Sequence, residues 1–131
     1  MKKIALLIAL AVFMSSGVCL SEKTEKMPQT VCPVLGEKIN KDVYVDYQAQ
    51  RIYFCCPACK ETFLNDPEKY MKKIADENVL LESVQKNCPV MGGKIDKNIY
   101  TDYNGRRIYF CCESCMQSFS KDPEKYLKKL E

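Results

Sequence analysis

The chain has 131 residues and a formal net charge of +3, from 20 basic and 17 acidic side chains, and it contains no histidine. Its lysines and arginines are scattered, so the composition argues against the basic surface of a nucleic-acid-binding protein. Without histidine, the Ser-His-Asp and Cys-His arrangements of hydrolases are excluded, and we expect no enzyme.

Residues 1–21 have the pattern of a secretory signal peptide. Two lysines near the start precede an unbroken apolar run of 11 residues from Ile4 to Met14, and small residues follow. The run is too short for a membrane span, which needs about 20 apolar residues. We therefore expect an exported, periplasmic or extracytoplasmic protein. Lipid attachment at Cys19 is an alternative, although Val18 disfavours it, and only in that case do we expect membrane contact.

An internal repeat organises the rest of the chain. Residues 31–74 align without a gap with residues 87–130, and 25 of the 44 positions are identical. Such a match indicates a duplicated module. We place the modules at residues 30–75 and 87–131, with a linker at 76–86. Positions that differ between the copies, such as Gln50/Arg106 and Lys60/Met116, are expected to be exposed.

Each copy predicts a turn, a β-hairpin and two short helices, so the expected fold class is α+β. Residues 43–47 and 51–55 are rich in β-branched and aromatic side chains, which favours two strands. In the second copy the matching strands are separated by Asn104 and Gly105, a pair that favours a two-residue hairpin turn.

The two helices of each copy are predicted after the hairpin. Pro57 suits the first turn of one helix, and Asp66 suits the N-cap of the next, with Pro67 at its first position. In the first copy we expect the second helix to continue through residues 79–84 as a helical linker. The expected core of that copy is aromatic and consists of Tyr44, Tyr47, Phe54, Phe63 and Tyr70.

Four cysteines in each copy suggest how so small a module is stabilised. At about 44 residues a hydrophobic core is marginal, and a metal or disulfides usually supply the deficit. The cysteines stand in a turn, at a hairpin end and at a helix start, which is how small metal-binding folds gather distant ligands. Thiolate sites suit soft ions. We therefore expect about one soft metal ion, zinc or copper(I), in each module.

The adjacent Cys55 and Cys56 are a special case. Neighbouring side chains on a strand point to opposite faces, so both can bind one ion only if the strand ends before Cys56. Three primary ligands are expected in each copy: Cys32, Cys55 and Cys59 in the first, and Cys88, Cys111 and Cys115 in the second. The role of Cys56 and Cys112 stays open: each is a fourth ligand, a structural cysteine or a disulfide partner.

Two other interpretations of the cysteines stay open. An exported protein with eight matched cysteines also fits a disulfide-stapled interaction module, because oxidising compartments form disulfides. Cys56-Pro-Ala-Cys59 is similar to the C-x-x-C motif of thiol redox proteins, but neither copy lies in a βαβ pattern. Sulfur atoms that converge on one point indicate a metal site, whereas bonded pairs at about 2.05 Å indicate a disulfide scaffold.

The Cys-Pro-Val-x-Gly turn, the Tyr-Phe-Cys-Cys-x-x-Cys run and the Asp-Pro-Glu-Lys-Tyr segment resemble the TRASH-like/YHS-like heavy-metal-associated domain, and the resemblance covers both repeats. It implies a treble-clef-like fold and a role in heavy-metal sensing, trafficking or resistance, often with copper. Such a role implies a metal-transport or metal-delivery protein as partner. The family's cysteine pattern maps onto the primary ligands above. The chain lacks the histidine of the YHS name and has an extra cysteine, Cys56 or Cys112, which leaves the fourth ligand open.

Overall fold

The computed structural model describes residues 25–130, so the predicted signal peptide and Cys19 lie outside the described part. Two similar α+β modules follow each other, as the repeat predicts. In chain order the elements are β1 (Met27–Pro28), β2 (Asn40–Tyr47), β3 (Gln50–Phe54), α1 (Pro57–Asn65), α2 (Pro67–Asp76), β4 (Val79–Leu80), β5 (Glu82–Ser83), β6 (Asp96–Tyr103), β7 (Arg106–Phe110), α3 (Glu113–Lys121) and α4 (Pro123–Leu127). Within residues 25–130, no helix has the length and hydropathy of a transmembrane span.

Each module is built on an antiparallel hairpin, β2 with β3 and β6 with β7, in matching register. Both central residues of each turn have positive φ, as a type I′ turn requires. In the second module they are the predicted Asn104 and Gly105, at 45° and 77°. In the first module they are Gln48 and Ala49, at 45° and 61°. The first hairpin therefore carries an alanine in a backbone region that favours glycine.

An aromatic cluster joins each hairpin to the helix that follows it. In the first module Phe54 and Phe63 are fully buried, with ring centroids 5.4 Å apart. Half-buried Tyr47 and Tyr70 pack against Phe63 at 5.8 and 6.1 Å. The second module repeats the cluster, and its buried phenylalanine rings are also 5.4 Å apart. Four of the five aromatic residues predicted for the core therefore belong to it.

The prediction that Tyr44 is a core residue is wrong. Side chains alternate along a strand, and on β2 it is Val43 and Val45 that pack against the core. Tyr44 lies on the opposite face and is 41% exposed. There its ring meets Tyr53 edge-on, 6.0 Å between centroids, and the Arg51 guanidinium lies 4.3 Å from the ring centroid.

The two helices of the first module begin where the sequence predicts them. Pro57 is the first residue of α1, and Pro67 is the first residue of α2. Asp66 is the N-cap of α2, and its carboxylate accepts a hydrogen bond from the amide of Lys69 at 3.4 Å. That bond satisfies one of the amides that a helix N-terminus leaves unpaired.

The predicted helical linker is wrong. Helix α2 ends at Asp76, and Asn78 has a φ of 54°, in the left-handed region where a right-handed helix cannot continue. The chain then forms β4, which pairs with β1, and β5, which pairs with β3. Leu81, between these strands, is buried in the core of the first module. The linker is therefore extended and completes the sheet β2-β3-β5.

The hairpin turn of the second module packs against helix α2 of the first. A Cβ atom placed on Gly105 would lie 2.7 Å from the carbonyl oxygen of Met71 and 3.2 Å from the amide nitrogen of Ala75. Real Cβ atoms do not approach backbone oxygen so closely. Both the close approach and the φ of 77° therefore require glycine at this position.

Side chains next to this turn complete the contact between the modules. Arg106 is fully buried and donates to Glu68 Oε1 at 2.7 Å. The side-chain amide of Gln50, also fully buried, donates to the carbonyl oxygen of Arg107 at 2.9 Å. The expectation that Gln50 and Arg106 are exposed is therefore wrong, because the position they share lies between the modules.

Replacing Glu68 by alanine is expected to destabilise the protein by about 2 kcal/mol, since the buried guanidinium of Arg106 loses its carboxylate partner. The Glu68 side chain is 60% exposed, so solvent limits the cost. Chemical denaturation of the metal-loaded protein measures the change. Glu68 also accepts from the Tyr47 hydroxyl, at 2.9 Å.

The matched control for Glu68→Ala is Glu124→Ala in the second module. Glu124 accepts from the Tyr103 hydroxyl at 3.1 Å, as Glu68 does from Tyr47. Losing this exposed hydrogen bond from a neutral hydroxyl should cost under about 1 kcal/mol. Equal destabilisation by the two variants would contradict a special contribution from Arg106.

Candidate metal centre

The four cysteines of the first module come from three local structures. Cys32 lies in a turn before β2 and is 1% exposed. Cys55 and Cys56 occupy the bend between the end of β3 and the start of α1, and both are half-buried. Cys59 is in the first turn of α1 and is buried. The strand has thus ended before Cys56, which lets both members of the pair face one side.

The sulfur atoms of these cysteines converge. Cys59 Sγ lies 3.5 Å from Cys55 Sγ and 3.4 Å from Cys56 Sγ, and the sulfurs of Cys55 and Cys56 are 3.9 Å apart. The sulfurs of Cys32, Cys55 and Cys59 all lie within 4.8 Å of one another. Four sulfurs bound tetrahedrally to one zinc ion are about 3.8 Å apart. The observed spacing therefore fits ligands of a single ion.

The second module repeats this arrangement. Cys115 Sγ lies 3.6 Å from Cys111 Sγ and 3.3 Å from Cys112 Sγ. The sulfurs of Cys88, Cys111 and Cys115 lie within 4.8 Å of one another. Each module thus has a group of three cysteines that could hold a metal ion, with the fourth sulfur in contact with the helix cysteine. All eight cysteines between residues 25 and 130 are free thiols.

A tight turn presents the first cysteine. The amide of Gly36 donates to the Cys32 carbonyl at 2.8 Å, and the Cys32 amide donates to the Glu37 carbonyl at 2.7 Å. Gly36 has a φ of 76°, a conformation that favours glycine and explains the last residue of the Cys-Pro-Val-x-Gly motif. The turn directs the backbone amides of Leu35 and Val34 at the Cys32 sulfur.

Backbone amides favour the thiolate form at two of the four sulfurs. Burial acts to raise the pKa of Cys32, but hydrogen bonds from the turn amides and the Cys55 amide outweigh it, so the pKa is lowered. The Cys59 amide, at the helix start, lowers the pKa of Cys56. Burial raises the pKa of Cys59 and of Cys55. The matching cysteines shift in the same directions. A bound metal cation would replace the protons that the Cys59 and Cys55 thiols hold.

A glutamine that the repeat alignment missed ties each cysteine turn to its hairpin. The Gln29 side-chain amide donates to the carbonyls of Tyr53 and Val31 at 2.8 and 3.1 Å, and its oxygen accepts from the Tyr53 amide at 3.0 Å. Gln85 makes the same pair of bonds with Tyr109, at 2.7 and 2.9 Å. The two glutamines also stand 56 residues apart, so extending the alignment by two residues would have revealed them.

Replacing Gln29 by alanine is expected to weaken metal binding by the first module roughly tenfold, because groups that orient metal ligands typically contribute 10–100-fold to affinity. The side chain fixes the backbone next to Cys32 against the strand that leads to Cys55. Competition with a chromophoric chelator measures the affinity. Gln117→Ala, at an exposed position on α3, is the control. If both variants bind metal as tightly as the parent, the positioning role of Gln29 is wrong.

Both modules match a known protein family. The family model described as the YHS domain matches residues 31–73 and 88–129, which together are more than half of the chain. Each matched segment contains one complete three-cysteine group. Neither the comparison with curated proteins nor that with solved structures gives a match. The family match and the sulfur geometry therefore point to the same residues.

Proposed function

The chain belongs to the YHS-domain family, and from this premise we propose that it binds soft metal ions through cysteine thiolates, about one ion in each module. The observation that carries the proposal is the convergence of three sulfurs in each module within 4.8 Å of one another. A set of thiolates suits copper(I), zinc or another heavy metal, and it disfavours magnesium and calcium, which prefer oxygen ligands.

We further propose that the protein is exported and serves metal trafficking, sequestration or resistance in the periplasm or outside the cell. The support for export is the signal-like pattern of residues 1–21. The support for trafficking is the half-burial of Cys55 and Cys56, which leaves one side of the site accessible to a metal-transport or metal-delivery protein. No catalytic step and no nucleic acid belong to this function.

Metal analysis of the full chain tests the proposal. Protein reduced and handled without oxygen is expected to take up about two soft metal ions per chain, and bound metal should protect the thiols from alkylation. Protein isolated from its native compartment should carry the same metal. If it contains no metal and all eight thiols are oxidised, the disulfide scaffold is correct and metal binding is not its function.

A thiol redox function is the second candidate, and one observation favours it. Cys56 is half-buried and has a lowered pKa, and its sulfur lies 3.4 Å from that of Cys59, as a nucleophilic thiol lies beside its resolving partner. Disulfide reductase activity that survives removal of metal would support it. Loss of that reductase activity in the metal-free Cys56→Ser variant would confirm the assignment.

A further inference from the structure

We propose that the two modules prefer different metals, and that the thioethers of Met91 and Met116 make the second module the copper(I) site. The first module, which has Leu35 and Lys60 at these positions, lacks the thioethers and has the lower ratio of copper(I) to zinc affinity. The inference rests on the proposed function, because it assumes that both cysteine groups hold metal. The cysteines match one for one between the copies, so a difference in preference must come from their neighbours.

The first of these neighbours is in the turn that carries Cys88. The amide of Gly92, the next residue after Met91, donates to the Cys88 carbonyl at 2.8 Å, so Met91 belongs to the tight turn that presents a ligand of the site. That side chain is 74% exposed, and Leu35 at the matching position is 63% exposed. Packing therefore accounts for neither residue. An open pocket of about 420 Å³ borders the turn and is lined in part by Cys88 and Met91. The thioether therefore has room to move at the turn that presents Cys88.

The second neighbour, Met116, stands one helical turn after Cys112. The Met116 amide donates to the carbonyl oxygen of Cys112 at 3.4 Å, and residues four apart on a helix share one face. Met116 is half-buried and packs against the core of its module. In the first module, Lys60 occupies the same place relative to Cys56. Cys112 thus has a methionine one helical turn after it, where Cys56 has a lysine.

Both differences between the copies, Leu35/Met91 and Lys60/Met116, add a thioether to the second module. A thioether is a soft, neutral ligand that selects copper(I), and it completes the coordination without adding negative charge. Structural zinc sites of this kind rely on anionic thiolates alone, and both modules supply these. Met91 and Met116 therefore favour copper(I) in the second module, whereas the first module, with Leu35 and Lys60 at these positions, offers only its thiolates.

Methionine methyl signals test this in the unaltered chain. Full-length reduced protein labelled with ¹³C at the methionine methyls is titrated with copper(I), supplied as its acetonitrile complex, and separately with zinc. The first equivalent of copper(I) is expected to shift the signals of Met91 and Met116, whereas the buried Met71 signal stays in place. Zinc, which the thioethers do not bind, should shift the signals of Met91 and Met116 less than copper(I) does. Copper(I) uptake without a shift at either methionine overturns the proposal.

Exchange of the two positions between the copies gives a second test. The pair Met91→Leu and Met116→Lys installs the residues of the first module, and should lower the highest copper(I) affinity at least tenfold with zinc affinity unchanged. The reverse pair, Leu35→Met and Lys60→Met, should raise the copper(I) affinity of the first module. Met71→Leu, which installs the residue of the second copy, is the control.

Different results would contradict the proposed function and this inference. If neither module takes up metal, the proposed function and this inference both fail. If both modules bind metal with the same ratio of copper(I) to zinc affinity, and the exchanged pairs leave that ratio unchanged, only the inference fails.

Discussion

Replacing Cys59 by serine should abolish metal binding by the first module and reduce uptake from about two ions per chain to about one. Cys59 is buried, and its sulfur contacts the sulfurs of both Cys55 and Cys56. A serine hydroxyl is a harder ligand that stays protonated at neutral pH, so it cannot replace a thiolate at the centre of a soft-metal site. Metal analysis after gel filtration measures the stoichiometry. Cys115→Ser should remove the second ion in the same way.

The Cys59→Ser variant should also lose the fold of its module. A unit this small has a marginal core, and structural zinc contributes about 10–16 kcal/mol to the folding of comparably small zinc-finger peptides. The amide NMR signals of the first module are expected to collapse, while those of the second stay dispersed.

Cys56→Ser is the matched control for the loss of the first ion. Cys56 lies outside the three-cysteine group that could hold metal, so this variant should keep two ions with lowered affinity. Two tightly bound ions in Cys59→Ser would contradict the site described above.

Replacing Gly105 by alanine is expected to destabilise the protein by about 3 kcal/mol, the second-largest effect. The left-handed φ of 77° costs an L-residue about 1 kcal/mol. The added Cβ would also lie 2.7 Å from the Met71 carbonyl oxygen, so the hairpin must move away from α2. Denaturant unfolding of the metal-loaded protein measures the loss.

The first module supplies the opposite substitution as a control. Ala49 occupies the matching turn position with a φ of 61°, so Ala49→Gly should relieve backbone strain and stabilise the protein by about 1 kcal/mol. If Gly105→Ala costs no more than Ala49→Gly gains, the close approach to α2 contributes nothing and the described contact is wrong.

Much of each module can be predicted because its signals are local. Asn104-Gly105 specifies a hairpin turn, Asp66-Pro67 specifies a helix start, and the duplication shows which cysteines belong together. The linker could not be predicted, because an apolar segment such as residues 79–81 suits a helix or a strand equally well. Pairing with β1 and β3, which are distant in sequence, decides between them.

The contact between the modules was missed for a related reason. Gln50 and Arg106 are polar and differ between the copies, which is typical of exposed positions, yet both are fully buried. Their burial depends on how one copy packs against the other, and a comparison of the copies carries no signal for that packing. For the cysteine cluster, in contrast, spacing alone indicated which three sulfurs would meet.

Because of the contact between Gly105 and α2, the order of the two modules along the chain matters. The turn in the second copy fits against α2 only because it has glycine where the first copy has alanine, and arginine where the first has glutamine. The two copies are therefore no longer interchangeable parts. A gene rearrangement that reversed their order would preserve every cysteine and still lose this contact. Divergence after the duplication has therefore made the two modules structurally distinct, with each one suited to its own position in the chain.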